Sequence, residues 1–254
     1  IVKLPNGLVD GSDLFDHVVV DEIRGKQQNY LANRELVIGN IGHIPKLLED
    51  LVKSFETKEG LAWKGVVKEA IWKLSAGDLE TILIAIREKT YGPRFYFEAE
   101  CHHCGHINKD QRLDLDKLKL DKLKAKDWFK EKRLEIVLPK EKAVVVLKPI
   151  YLDDLFKSLK IAKDDHDKLI TSIMALSIKS IDGKENIQPK DLDNLPAMDI
   201  MEIQKKMEKL KVEGTIDTDV EMTCSNCKKD FDSKLDVFSS DFFDPSKGST
   251  STTT

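Results

Sequence analysis

Four cysteines stand in two pairs whose spacing suits one shared metal ion. The first pair lies in Cys101-His102-His103-Cys104 and the second in Cys224-Ser225-Asn226-Cys227, and the chain has four cysteines in all. A gap of two residues lets both sulfurs of a pair turn towards one ion, and zinc in a structural role prefers a closed tetrahedron of such ligands. The sequence therefore predicts a structural zinc site, one ion per chain, with Cys101, Cys104, Cys224 and Cys227 as ligands.

The residues on either side of the two pairs also match each other. Strand-forming segments precede them, at residues 95–100 and 219–223, and short apolar–acidic–apolar segments follow them, at residues 113–115 and 235–237. Each unit is therefore predicted to be strand, turn, strand. Two such hairpins facing each other make a zinc ribbon, which we assign to residues 93–116 and 215–240.

Other interpretations of these residues remain open at this point. The cysteines could be ordinary buried residues, or a redox dithiol, although redox pairs usually sit at a helix start where the dipole lowers the thiol pKa. Three histidines near the first pair could replace a ligand, bind a second ion, donate to the thiolates, or be solvated loop residues. These are His102, His103 and His106. Gly105 suits the left-handed turn after a pair better than Lys228, its counterpart after the second pair.

Composition narrows the class of protein. The 254 residues can form one large domain or two modest ones. Charged residues make up 34% with a net charge of −4, so both signs are interspersed and no global field attracts nucleic acid or anionic lipid. No apolar run reaches the roughly 18 residues needed to span a bilayer, and no signal peptide is visible. Without a sign of secretion, paired cysteines are expected to bind metal and not to form disulfides.

The hydrophobic pattern predicts an α+β fold. Residues 1–92 are expected to contain a turn-rich start (1–15), one strand (18–23) and a helical region. One helix is predicted over residues 44–55 with Pro45 in its first turn, a second over 66–74, and a third beginning near Ser75 and Asp78. Gly92-Pro93 would end this region and lead into the first cysteine hairpin.

An α+β subdomain is predicted between the two halves of the ribbon, at residues 117–214. Its expected parts are a lysine-rich helix (116–133), a β-hairpin (134–138 with 143–147) and helices near 152–160, 164–177 and 196–211. Since 119 residues separate Cys104 from Cys224, the metal would tie the two ends of this insertion together. Residues 241–254 are predicted to form a mobile tail.

Neither catalysis nor nucleic-acid binding is favoured. The sequence has no nucleophile elbow, P-loop, zinc-protease motif or glycine-rich dinucleotide turn, and four cysteines would leave zinc no open position for chemistry. A zinc-ribbon nucleic-acid-binding protein is the alternative. Residues 109–133 carry ten Lys/Arg against six Asp/Glu, but leucines interleave with them, as on a solvated helix face.

The order of motifs resembles a known family. "LPNG" (4–7) precedes a strand, and "LETILIAIREKTYGPRFYFEAECHHCGH" (79–106) leads into the first cysteine pair. "LEIVLP" (134–139), "IKSIDGK" (178–184) and "VEMTCSNC" (220–227) follow. Together they resemble the baseplate-hub proteins of T-even-type contractile phages, also described as baseplate hub assembly chaperones, with relatives in tail-like injection systems.

This resemblance implies a non-enzymatic structural or assembly protein. It would bind other hub, spike or tape-measure proteins, in several copies around the hub, and would have no membrane span. It would act in the host cytoplasm during assembly, and it would then either leave or be retained in the particle. The zinc site would hold two subdomains in a set geometry, and Phe238, Phe242 and Phe243 would either dock partners or fold back onto the ribbon.

Overall fold

The computed structural model describes residues 1–31, 42–118, 134–162, 165–212, 216 and 218–244. Within them the fold is α+β, as predicted, with a three-stranded sheet, a four-stranded sheet and two two-stranded hairpins. No helix in these ranges combines the length and the apolar character that crossing a bilayer would require.

The N-terminal region is a small antiparallel sheet packed against helices. Its strands are β1 (Val2–Asp10), β2 (Asp13–Val20) and β3 (Val52–Glu56), in the order β1-β2-β3. Its helices are α1 (Gly25–Leu31), α2 (Ile44–Leu51), α3 (Val67–Ile71) and α4 (Ala76–Tyr91). Buried aliphatic side chains from both the strands and the helices form one continuous cluster.

Three sequence predictions in this region differ from the structure in where the strands and helices begin or end. Residues 1–15 are not mostly turn, because β1 pairs with β2 through a two-residue turn in which Gly11 has φ +58°. The predicted strand at 18–23 is β2, which ends at Val20. The predicted helix at 44–55 begins with Pro45 in its first turn but ends at Leu51, and the next residues form β3 against β2.

The start of α4 matches the prediction and also explains the "LPNG" motif. Ser75 and Asp78 form a capping box, in which the Ser75 hydroxyl accepts from the Asp78 N–H and the carboxylate accepts from the Ser75 N–H. The buried Asp78 carboxylate also accepts the backbone N–H groups of Asn6 (2.9 Å) and Gly7 (3.1 Å). A side chain at Gly7 would lie 2.7 Å from the Phe15 carbonyl, so the chain requires glycine there.

A second core lies between the two cysteine pairs in sequence. Its sheet has the order β6 (Leu134–Val137), β7 (Val144–Leu147), β8 (Ile178–Ile181), β9 (Lys184–Glu185). Its helices are α5 (Leu152–Ala162), α6 (His166–Ser177), α7 (Pro189–Leu192) and α8 (Ala197–Val212). The predicted hairpin and three helices are confirmed, whereas β8 and β9 were not predicted. The predicted helix at 116–133 falls mostly outside the described residues; Leu115–Lys117 is a 3-10 turn.

The C-terminal aromatic residues pack into the N-terminal core. Ser240–Phe243 form a 3-10 helix, and both Phe242 and Phe243 are almost fully buried. The Arg87 guanidinium of α4 donates to the Phe242 carbonyl at 2.6 Å and lies 4.6 Å from the centre of the Phe95 ring. Residues 241–244, which the sequence assigns to a mobile tail, thus belong to a core, and the docking role for Phe242 and Phe243 is wrong.

Candidate metal centre

Two β-hairpins carry the cysteine pairs at their tips. The first is β4 (Arg94–Glu100) with β5 (Ile107–Asp114), and the second is β10 (Asp219–Thr223) with β11 (Asp230–Lys234). In each hairpin the antiparallel ladder closes on the residues directly flanking the cysteine turn, for example Glu100 opposite Ile107 and Thr223 opposite Asp230. The ladders therefore hold the turns and present the sulfurs.

The four sulfurs converge to one point. All four Sγ atoms lie within 4.8 Å of one another, with Cys101 Sγ 3.8 Å from Cys227 Sγ and Cys104 Sγ 3.7 Å from Cys224 Sγ. All are free thiols. A tetrahedral ion with metal–sulfur bonds of about 2.3 Å requires sulfurs about 3.8 Å apart. The arrangement could therefore hold a metal ion without moving the hairpins.

The two turns have equivalent backbone hydrogen bonds. Cys101 N–H donates to His106 C=O and Cys224 N–H donates to Lys229 C=O, both at 2.9 Å. Gly105 N–H donates to Cys101 C=O at 2.8 Å, and Lys228 N–H donates to Cys224 C=O at 3.0 Å. The repeated sequence pattern thus corresponds to a repeated conformation.

Both turns require a left-handed residue after the second cysteine. Gly105 has φ +69° and Lys228 has φ +59°. The left-handed region costs a residue with a Cβ roughly 1–2 kcal/mol, and glycine avoids this cost. Lys228 is therefore the less favourable of the two, as the sequence predicts, although its Nζ donates to the Ser225 carbonyl at 2.7 Å.

Asn108, which sequence analysis did not single out, links the two cysteine turns through buried hydrogen bonds. It is 3% exposed, and its Oδ1 accepts from the Ser225 N–H at 2.8 Å and from the Ser225 hydroxyl at 2.9 Å. Its Nδ2 faces the Ala99 carbonyl at 3.3 Å and Cys224 Sγ at 3.8 Å. A single buried amide thus connects the first hairpin to the second and donates towards a sulfur.

Two of the three histidines near the first pair contact polar groups of the second hairpin. His103 Nε2 lies 3.1 Å from the Asp230 carbonyl, and His106 Nε2 lies 3.0 Å from the Ser225 hydroxyl. In the described part of the chain, the group suited to a metal contains the four cysteines and no histidine. His103 and His106 therefore connect the two hairpins through exposed hydrogen bonds.

Electrostatics make the first thiolate easy to form and a further one difficult. Burial opposes ionisation of Cys224, but the N–H groups of Cys227 and Asn226 and the neighbouring thiols outweigh it and lower the pKa of Cys224 to about 6. At Cys227 the Lys229 N–H favours the thiolate, yet burial and the adjacent sulfurs raise the pKa to about 11. A cation at the centre would offset this repulsion among the sulfurs.

A protein-family model identifies the family. The model described as "T4 bacteriophage base plate protein" matches residues 27–244, which include both cysteine hairpins and the whole segment between them. The chain belongs to this family. Comparison with curated proteins and with solved structures gave no match.

Membership in the baseplate family supports part of what the motifs imply. It supports a structural phage baseplate protein that assembles with other phage proteins and is associated with the virion, in a family that is typically non-enzymatic. The structure also brings together all four sulfurs that the sequence singles out.

Proposed function

We propose that this baseplate protein is a structural or assembly component of the central hub of a contractile phage tail or tail-like injection particle. The single observation that carries the baseplate role is the family match over residues 27–244. The narrower proposal of a place in the hub rests on the resemblance of the motif order to baseplate-hub proteins. The expected partners are other hub, spike or tape-measure proteins, met in the host cytoplasm during assembly, with the protein retained in the particle.

We further propose that Cys101, Cys104, Cys224 and Cys227 hold one structural zinc ion. The support is the sulfur arrangement, with two cross-hairpin distances of 3.8 and 3.7 Å and the edge length that a zinc tetrathiolate needs. Thiolate ligands favour zinc over the hard cations magnesium and calcium. Four sulfurs saturate the ion and leave no position for substrate, which agrees with a structural role.

The metal would close a long chain segment. Residues 105–223 lie between the pairs and contain a core of their own, centred on Val145, Leu147 and Ile203. Closing a flexible loop of this length costs about 4 kcal/mol plus a constant, whereas structural zinc contributes about 10–16 kcal/mol in zinc-finger peptides at pH 7. Zinc would thus hold the second core in a fixed position relative to the N-terminal one.

Charge on the hairpins does not favour the nucleic-acid alternative. The second hairpin carries Asp219, Glu221, Asp230 and Asp232 as well as Lys228, Lys229 and Lys234. Acidic and basic side chains are interspersed there, so phosphates would meet no continuous basic surface.

Two experiments test these proposals separately. Elemental analysis of protein purified without chelator should give about one zinc per chain, and near-zero zinc with four titratable thiols would refute the metal site. Co-expression with the hub, spike and tape-measure proteins of the same particle should yield a stable complex at moderate salt. If the protein bound none of these proteins but bound DNA or RNA with a steep salt dependence, the nucleic-acid alternative would replace the hub proposal.

A further inference from the structure

Residues 235–243, which follow the second cysteine hairpin, lie against the N-terminal core and are called the C-terminal strap below. Four of its side chains belong to the N-terminal cluster and are at most 8% exposed, namely Leu235, Val237, Phe242 and Phe243. The centre of the Phe242 ring is 5.3 Å from that of Phe95 on β4. The strap contains one short 3-10 helix, an element with poor hydrogen-bond geometry of its own. Apolar burial is therefore the main force that holds the strap in place.

The strap contacts two buried side chains whose hydrogen-bonding groups are largely unsatisfied. His43 immediately precedes α2 and is 3% exposed, and neither of its ring nitrogens has a hydrogen-bond partner in the described part of the chain. Arg87 on α4 is fully buried; it donates to the Phe242 carbonyl, but its Nε and Nη2 have no partner among the described residues. Buried polar atoms without partners favour a state in which water reaches them. These two side chains thus oppose the aromatic burial that closes the strap.

The surroundings of His43 suit a neutral ring and not a charged one. Its ring centre lies 6.4 Å from that of Phe243, with 78° between the two ring planes. An imidazolium carries a charge and two N–H donors, and burying these without partners costs far more than burying the neutral ring. The Asp236 carboxylate favours the imidazolium, but it is exposed and screened by solvent, so burial prevails and lowers the pKa of His43. The charges of Arg87 and Asp244 act on each other.

We propose that the C-terminal strap is an acid-sensitive latch, in which protonation of His43 releases Phe243 and the rest of the strap while the N-terminal core stays folded. Among the described residues the strap pairs with neither of the two larger sheets, so its release requires no strand of those sheets to separate. Release would uncover Arg87 and the Phe95 ring, and water would then satisfy the guanidinium. The inference uses neither the cysteine site nor the baseplate assignment.

The direction of the pH dependence follows from the two states of His43. In the released state its ring would titrate near the ordinary histidine pKa of about 6.5, whereas burial keeps the pKa lower while the strap is closed. The closed strap is therefore fully favoured above about pH 6.5, and this advantage is lost as the pH falls towards the lower pKa. At pH 5.5 the ratio of closed to released strap should be up to about tenfold smaller than at pH 7.5.

Hydrogen exchange of the full chain tests the latch. The Phe242 N–H donates to the Ser239 carbonyl at 3.1 Å and reports on the strap, while the amides of residues 82–86 in α4 report on the N-terminal core. Exchange is measured at pH 7.5 and pH 5.5 and corrected for the intrinsic rate at each pH. Protection of the Phe242 amide should fall about tenfold more than that of the α4 amides. An NMR titration of the His43 ring should give a pKa below about 6.5.

Variants assign the effect to His43. His43→Gln keeps a polar side chain that cannot be protonated and should abolish the acid-dependent loss of protection in the strap; His43→Leu is the second neutral variant in case glutamine disturbs the fold. The control His17→Gln removes a histidine on β2 that contacts Asp16, and it should retain the loss. The proposal is overturned if the strap is unprotected at pH 7.5, if its protection does not fall at pH 5.5, or if it falls together with that of α4. It is also overturned if both His43 variants retain the loss or if His17→Gln abolishes it.

Discussion

The N-terminal core and the cysteine hairpins are stabilised in different ways. The N-terminal core is a continuous cluster of buried aliphatic and aromatic side chains drawn from strands, helices and the C-terminal 3-10 helix. The cluster around the cysteines has few buried members, namely Ala99, Cys101, Cys224 and Phe231. Isolated two-stranded hairpins are marginal in water. The first region should therefore fold by apolar burial, whereas the second should depend on its ligand.

Loss of one sulfur should have the largest effect, and it should be confined to the hairpins. Cys224→Ser is expected to abolish the proposed zinc binding and to destabilise the hairpin pair by roughly 5 kcal/mol or more, because a bound metal would supply most of its folding energy. Zinc content and hydrogen exchange of β4, β5, β10 and β11 measure this. Lys229→Ala keeps the carbonyl that accepts from the Cys224 N–H and serves as control. Unchanged hairpin protection in Cys224→Ser would contradict the difference between the two regions.

A cavity in the N-terminal core should lower the stability of that core and leave zinc binding by the hairpins unchanged. Leu83 is fully buried, and Leu83→Ala should cost about 2–5 kcal/mol through lost burial and a cavity. Zinc content should remain that of the wild type, and chelator should lower Tm by the same amount in both proteins. Val66→Ala, at an exposed position, is the control. A Leu83→Ala protein that lost its zinc would show that the hairpins depend on the core.

The buried amide between the turns should tune the metal site. Asn108→Ala leaves the Ser225 N–H without its acceptor, at a cost of about 1–3 kcal/mol, and should weaken zinc binding by about 10–100-fold. Asn226→Ala, which removes an exposed amide 3.8 Å from Cys104 Sγ, is the matched control and should change affinity far less. Competition with a chromophoric chelator gives both affinities. If both variants weakened zinc binding equally, Asn108 would have no role beyond that of an exposed asparagine in the turn.

A contact between α4 and Ile216, which precedes the second hairpin and packs in the N-terminal core, should respond to pH. Glu80 on α4 accepts the Ile216 N–H at 3.3 Å, and burial raises its pKa to about 7. Since the folded-state pKa lies above that of the unfolded chain, this group favours the folded state at low pH, and the benefit is lost as pH rises from about 4.5 to about 7. Glu80→Gln should therefore gain stability relative to wild type over this window, as chemical denaturation at pH 5 and pH 8 would show. A constant difference would contradict the assignment.

The smallest expected effect is on stability, and it should differ in sign between the two cysteine turns. Lys228→Gly removes a left-handed lysine and should stabilise the second turn by about 1 kcal/mol, less the contribution of the Nζ contact to Ser225. Gly105→Ala should destabilise the first turn by a similar amount. Zinc-loaded Tm measures both. If Lys228→Gly lowered Tm, the lysine contact would outweigh the backbone cost.

Local patterns in the sequence predicted local structure well. The capping box at Ser75, the hairpin around residues 139–142 and the helices that became α5, α6 and α8 all depend on residues near one another in the chain. Predictions failed where a distant partner decided the outcome. Residues 52–56 have a spacing compatible with a helix, yet they form a strand because β2 lies beside them.

The candidate site shows the same division. Paired spacing and repeated flanks singled out the four cysteines, since the chemistry of a thiolate site requires those residue types at that separation. Asn108 could not be found in this way, because its partner Ser225 is 117 positions away and a lone asparagine in a strand has no distinctive pattern. The burial of Phe242 likewise depends on Arg87 across 155 positions.

The sequence by itself determined which sulfurs could share an ion, where the cysteine hairpins and several helices occur, and which family pattern the motifs follow, because each depends on residue chemistry and short-range spacing. Tertiary structure alone decided that "LPNG" binds Asp78, that β3 is a strand, and that the C-terminal aromatics are buried. These outcomes arise from contacts between segments far apart in the chain, and apolar burial and hydrogen bonding across such distances outweigh local preference.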